Sequence, residues 1–150
     1  MHDMLIALVA TVLTAGQTGS QETAVMSTVN QFVGNFNNGD TKAVVATCAD
    51  AAAIIDEFPP YEWHGAGTCS RWMSDYDADA RKNRITDGFV TLSKPRHIDI
   101  AADRAYVVVP ADYTYKKNGK PVKETGSMLT LALQQGASGW RITGWSWAKN

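Results

Sequence analysis

Apolar residues first recur at helical spacing: Val25, Val29, Phe32, Val33 and Phe36 lie on one stripe of an amphipathic helix. Asn38-Gly39 stops it, because glycine readily takes the left-handed conformation that closes a helix. Asp40 is then placed to cap a short second helix over Lys42–Thr47. Ala53–Asp56 reads as a strand, with Ala53-Ile54-Ile55 entering a core and Pro59-Pro60 ending any regular ladder. Thr68 opens a third helix as its cap, with Cys69, Trp72, Met73, Tyr76 and Ala80 on one face.

From Gly88 the period changes to that of strands. Phe89–Leu92, Arg96–Ile100, Tyr106–Tyr115, Val122–Leu133 and Trp140–Ala148 are separated by Lys94-Pro95, Ala102-Asp103, Asn118-Gly119 and Gln135–Gly139. Asn118-Gly119 is the strongest hairpin signal in the chain. Pro110 inside a long strand predicts a bulge or bend. Helices first and a meander of strands afterwards predict an α+β layer, with helices covering one face of a curved antiparallel sheet.

The extreme N-terminus has a different character. Leu5–Leu13 is an apolar run of signal-peptide length, followed by small residues at Thr14-Ala15-Gly16 and polar Gln17–Gln21. Export with cleavage near Gly16 is the expectation, so residues 1–20 are set aside as a leader and 21–150 as one domain. Met1-His2-Asp3-Met4 carries no lysine or arginine, which fits either a mis-assigned start or a first helix that is not a signal. Export means a periplasmic or secreted protein; without a signal it is cytoplasmic. Nothing later is long enough to span a bilayer.

Composition narrows the partners. The 150 residues carry a formal net charge of −1, so no basic field draws nucleic acid or anionic lipid. Arg81-Lys82-Asn83-Arg84 follows a helical stretch and reads as a solvated helix end. Cys48 and Cys69 permit one disulfide in an oxidising compartment, or serve as two small buried hydrophobes. No zinc signature, glycine-rich phosphate loop or nucleophile elbow occurs, so no metal or cofactor is expected.

Asp56 stands out chemically. It ends an apolar strand and is followed by Phe58, Tyr61 and Trp63, so its carboxylate is either desolvated or aimed into a cavity. Both raise its pKa and make it a candidate base or ligand anchor. The competing reading is an aspartate bonded to amides of the Phe58–Tyr61 turn. His64 is a candidate acid–base partner for Asp56, or a plain loop histidine. Asp75-Tyr76-Asp77-Ala78-Asp79 imitates the start of a calcium loop but has Ala80 where glycine is required and Thr86 where glutamate is required. Tyr113 and Tyr115 share one strand face and Trp145 and Trp147 another, as core, pocket lining or interface.

Phe32…Asn37-Asn38-Gly39-Asp40, Cys48-Ala49-Asp50-Ala51…Asp56, Gly65…Trp72 and Gly139-Trp140-Arg141-Ile142 resemble the NTF2-like superfamily from Glu22 onward. That superfamily includes nuclear transport factor 2, ketosteroid isomerase, scytalone dehydratase and SnoaL-like polyketide cyclases. The resemblance implies a cystatin-like cone: three N-terminal helices on a strongly bent antiparallel sheet, with a cavity between them. It also implies a homodimer through the sheet. Against ketosteroid isomerase the spacing runs gapless from Phe32 to Trp72. Asp56 then falls on the catalytic aspartate and Trp72 on a pocket aromatic. The oxyanion-hole tyrosine falls on Phe32, and the protonated aspartic acid falls within Met128–Thr130, where there is no carboxylate. Losing such a donor typically costs ~10²–10³ in rate.

The resulting expectation is a domain binding a small hydrophobic molecule, with Phe32, Phe36, Trp63, Trp72, Tyr76, Tyr113 and Tyr115 as the lining and Asp56 as anchor. The alternatives are an isomerase, cyclase or dehydratase with Asp56 as general base, and a non-catalytic dimerising domain.

Overall fold

The computed structural model describes residues 15–150, so the apolar run at Leu5–Leu13 lies outside the described residues. Helix α1 (Ala15–Asn37) turns Val25, Val29, Phe32 and Val33 into the core, as their spacing predicts. Its backbone stays helical through the polar segment 17–21. At its end the Asp40 N–H donates to the Asn35 carbonyl and the Gly39 N–H to the Phe36 carbonyl, both at 3.0 Å. Gly39 has φ of 68°, which a glycine adopts without a Cβ penalty. Asp40 then caps α2 (Thr41–Thr47) by accepting from the Ala43 N–H at 3.0 Å.

Strand β1 (Cys48–Ile55) follows α2 directly, and only alternate residues enter the core: Ile54 is 1% exposed and Ile55 58%. A turn holding Asp56–Tyr61 leads into β2 (Glu62–Ala66), a strand that the sequence pattern does not announce. Helix α3 (Thr68–Lys82) is preceded by Gly67 in the left-handed region. Thr68 therefore does not cap it; its hydroxyl donates back to the Gly65 carbonyl at 2.6 Å. Cys69, Trp72 and Met73 are buried, and Cys69 is disulfide-bonded to Cys48.

The remaining strands are β3 (Ile85–Leu92), β4 (His97–Ala101), β5 (Arg104–Lys117), β6 (Lys120–Gly136) and β7 (Gly139–Ala148). The sheet order is β2-β1-β7-β6-β5-β3, with β4 also on β5. Every neighbouring pair is antiparallel except β1 and β7, which run parallel. Pro110 sits where β5 exchanges partners, between the last β3 pair (Leu92 with Ala111) and the first β4 pair (His97 with Val108). A missing N–H costs nothing at such a gap. Two residues beyond Pro110, Asp112 faces Thr125 and Gly126 across a register shift, and Gly126 has φ of 74°. A second shift sets Asp87 and Gly88 of β3 against β5. Bulges of this kind increase local bend and twist, and here they curve the sheet around the helices.

The side chain of Asn37 fastens the helical layer to this sheet. It donates to the Val90 carbonyl at 2.8 Å and accepts from the Val90 N–H at 2.7 Å, acting as a strand neighbour for β3.

Candidate functional site

Between α1, α3 and the concave face of the sheet lies a cavity of about 330 Å³. Alternation decides what faces it. From α1 come Phe32 and Phe36, from α3 Trp72 and Tyr76, from β5 Tyr113 and Tyr115, from β6 Leu129, and from β7 Trp145 and Trp147. The tyrosine and tryptophan pairs expected on different faces thus share one: Tyr113 stacks on Tyr115 at 4.9 Å and meets Trp147 edge-on at 6.4 Å. Trp72 packs edge-on against Trp145 at 4.9 Å, beside Phe32 and Phe36.

Asp56 enters this aromatic lining from the turn after β1. Its Oδ2 accepts from the Trp72 indole N–H at 2.8 Å and its Oδ1 from the Glu57 N–H at 2.7 Å. Burial pushes its pKa up to about 6 against the lowering effect of those two bonds, and the nearby negative charge of Glu124 adds to the rise. The carboxyl is therefore poised near neutrality on the cavity wall, rather than tied up by the amides of the Phe58–Tyr61 turn.

Two polar groupings flank it. Tyr76 and Tyr113 join hydroxyl to hydroxyl at 2.7 Å. Burial raises both pKa values, so the pair is neutral at ordinary pH and one hydroxyl must donate to the other. Gly88 makes room for them: a Cβ there would lie 2.5 Å from the Tyr76 oxygen and 2.9 Å from that of Tyr113. In the second grouping, Lys149 bridges Glu57 and Glu124 at 3.0 Å each, and the Tyr115 hydroxyl donates to Glu124 at 3.1 Å. Burial raises the pKa of Glu57, which Lys149 opposes. Lys149 is itself held well above the usual lysine range by Glu57 and then Glu124.

Two expected site residues lie elsewhere. His64 is exposed on β2, immediately before the Gly65-Ala66-Gly67 entry to α3, and its carbonyl accepts from Arg71 at 2.5 Å. Alternation along β2 turns it away from the side that Trp63 buries, so no pairing with Asp56 forms. Trp63 is 5% exposed and does not line the cavity. Its indole donates to Asp75 at 2.8 Å and its ring supports Phe58 at 5.0 Å from behind. The apparent calcium loop lies within α3, where Asp75 has this structural partner.

Conversely, Glu57, Gly88, Glu124 and Lys149 escape sequence reasoning. Glu57 adjoins Asp56 and could have been flagged; the others come from segments distant in sequence and meet only through the sheet. The positions corresponding to the isomerase oxyanion hole are apolar here. Phe32 and Leu129 face the cavity, and Met128 and Thr130 alternate to the opposite side of β6.

Among solved structures, three similar ones agree on this architecture. A protein of unknown function from Mycobacterium tuberculosis superposes with a TM-score of 0.75 at 11% identity, covering 94% of this chain and 78% of that one. An NTF2-like superfamily protein from Salmonella enterica gives 0.74 at 14% identity, covering 88% and 92%. A ketosteroid isomerase-like protein from Erwinia carotovora gives 0.67 at 16% identity, covering 86% and 95%. At such identities the likeness is one of fold. Comparison with curated protein sequences gives no match. The SnoaL-like domain family matches over residues 25–146, from the first buried turn of α1 almost to the end of β7, and the chain belongs to that family within the NTF2-like superfamily.

Proposed function

We propose that this domain binds a small, largely apolar molecule in the cone, with Asp56 as its polar anchor. The observation that carries this reading is the cavity itself: about 330 Å³ walled largely by aromatic rings, with Asp56 set among them and Glu57, Asp79 and Glu124 also on its lining. That is the usual composition of a small-molecule site. Titration with the neutral fluorophore 2-naphthol, followed by quenching of cavity tryptophan emission, tests it. Saturable binding is expected, and Ala80→Trp, which fills the mouth from α3, abolishes it without changing the circular dichroism spectrum. Equal binding by both proteins would place the ligand outside the cone.

A second reading, an enzyme with Asp56 as general base, is favoured by its pKa of about 6, which suits proton abstraction near neutrality. The Tyr76–Tyr113 pair offers neutral hydroxyl donors within the same cavity. Exchange of the α-protons of a cyclic ketone in deuterated water, lost in Asp56→Asn, is the corresponding assay.

Export to an oxidising compartment is supported by the Cys48–Cys69 disulfide and by the apolar run at Leu5–Leu13. Among the described residues, no helix is long and apolar enough to cross a membrane. A homodimer through the outer sheet face is supported by the uncharged centre of that face, which Glu62 on β2 and Asp99 on β4 flank, a point taken up below.

A further inference from the structure

The cavity pairs aromatic walls with an uneven charge. Four carboxylates line it (Asp56, Glu57, Asp79 and Glu124) against two lysines, Lys117 and Lys149. Lys149 is engaged by Glu57 and Glu124. Asp56 takes part in none of the ion pairs among the described residues; its two bonds come from neutral N–H donors. An ionised carboxylate largely withdrawn from water and lacking a counter-charge is costly. A proton relieves that cost in acid, and above the range where Asp56 ionises a cation brought by the ligand does so. The walls suit the same guest, because aromatic faces attract an ammonium group in addition to burying its apolar body.

Resting on the ligand-binding reading above, we infer that the guest is a hydrophobic amine, bound as its ammonium ion with the charge at Asp56 and the apolar body among the cavity aromatics. A neutral alcohol of the same shape gains the apolar contacts but leaves Asp56 uncompensated. A carboxylate adds a like charge to a site already negative.

Three probes of one shape separate these cases: 2-naphthylmethylamine, 2-naphthylmethanol and 2-naphthoate, titrated calorimetrically at pH 8. At that pH Asp56 is ionised, and the groups around it are Glu57 and Glu124, bridged by Lys149, with Tyr76 and Tyr113 still protonated. The amine should bind at least about tenfold tighter than the alcohol, the equivalent of roughly 1.4 kcal/mol, and the naphthoate weakest. Asp56→Asn should bring the amine to within about threefold of the alcohol, with an unchanged circular dichroism spectrum reporting an intact fold. If the alcohol binds as tightly as the amine, the inference falls and the cavity-binding reading stands. A preference for the amine that survives Asp56→Asn overturns the assignment to Asp56. Absence of binding by all three overturns both.

Discussion

Asp56 has a measurable signature independent of any ligand. Its pKa rises from 3.8 to about 6 on folding, because burial penalises the charged form more than the Trp72 and Glu57 N–H donors favour it. The folded state therefore holds the proton more tightly than the unfolded chain. Its contribution is full below the unfolded pKa and is lost as pH rises through the folded one, about 3 kcal/mol in all. Asp56→Asn removes this slope. The difference in unfolding free energy between Asp56→Asn and the wild type should grow in favour of the variant by about 2 kcal/mol between pH 4 and 7.5. The variant loses one acceptor, an offset nearly independent of pH. Urea titrations across this range check it; a flat difference would mean that Asp56 titrates normally. Trp72→Phe should move the apparent pKa further upward, since the indole donor is one of the two forces holding it down.

Gly88 provides a second test at this scale. Gly88→Ala forces a methyl group into the Tyr76–Tyr113 pair and should cost about 1–3 kcal/mol by overpacking. In a Tyr76→Phe background the nearer of the two clashing oxygens is gone and the Tyr113 ring can shift into its place, so the two changes should be less than additive. Strict additivity in a double-mutant cycle would place the cost in the β3 backbone instead.

Among the elements, those with strong local signals were legible. The stripe from Val25 to Phe36, the Asn38-Gly39 stop, the Asp40 cap and the Asn118-Gly119 turn all depend on neighbours in sequence. Asn118 and Gly119 both adopt positive φ, 51° and 76°, as this hairpin type demands. Strand β2 carries no legible pattern, because it buries only Trp63 and lies between Pro59-Pro60 and Gly67. β5 and β6 extend beyond their apolar pattern, because Lys116, Lys117 and Lys120 have loop-like side chains yet pair across the hairpin. The site was legible only at Asp56 and the inward aromatics. Tyr76 with Tyr113, and Lys149 with Glu57, are brought together by sheet curvature that no local pattern encodes. The parallel β1–β7 pairing is equally non-local. It seats Gly144 so close to β1 that a Cβ would lie 3.0 Å from the Ala53 carbonyl oxygen. The Cys48–Cys69 disulfide ties this region to α3 across 21 residues. Replacing both cysteines by alanine should cost about 3 kcal/mol by the loop-closure argument. A reducing agent should shift the urea midpoint of the wild type in the same direction and leave the variant unchanged.

For the whole molecule, the informative surface is the sheet face turned away from the cavity. Register places Ile55, Ser146, Thr130 and Val108 in one row across four strands, and Ala53, Gly144, Ala132 and Tyr106 in the next. Neither row contains a charge within these four strands, and the rows continue into Glu62 and His64 on β2 and into His97 and Asp99 on β4. Ile55 remains 58% exposed and Tyr106 47%. A monomer gains nothing from leaving such a face bare, whereas core positions of protein interfaces are depleted of charge and enriched in aromatic residues. A second copy related by a two-fold axis brings the same rows together, so one substitution acts twice. Thr130→Arg at the centre of this face would oppose two guanidinium groups in a dry contact. Light scattering on a sizing column should give about twice the monomer mass for the wild type and the monomer mass for Thr130→Arg. The variant should keep its 2-naphthol affinity, because residue 130 alternates away from the cavity that Leu129 lines. A wild type that elutes as a monomer at tens of micromolar would refute the dimer. Loss of ligand affinity on dissociation would instead show that pairing of the sheets holds the curvature of the cone.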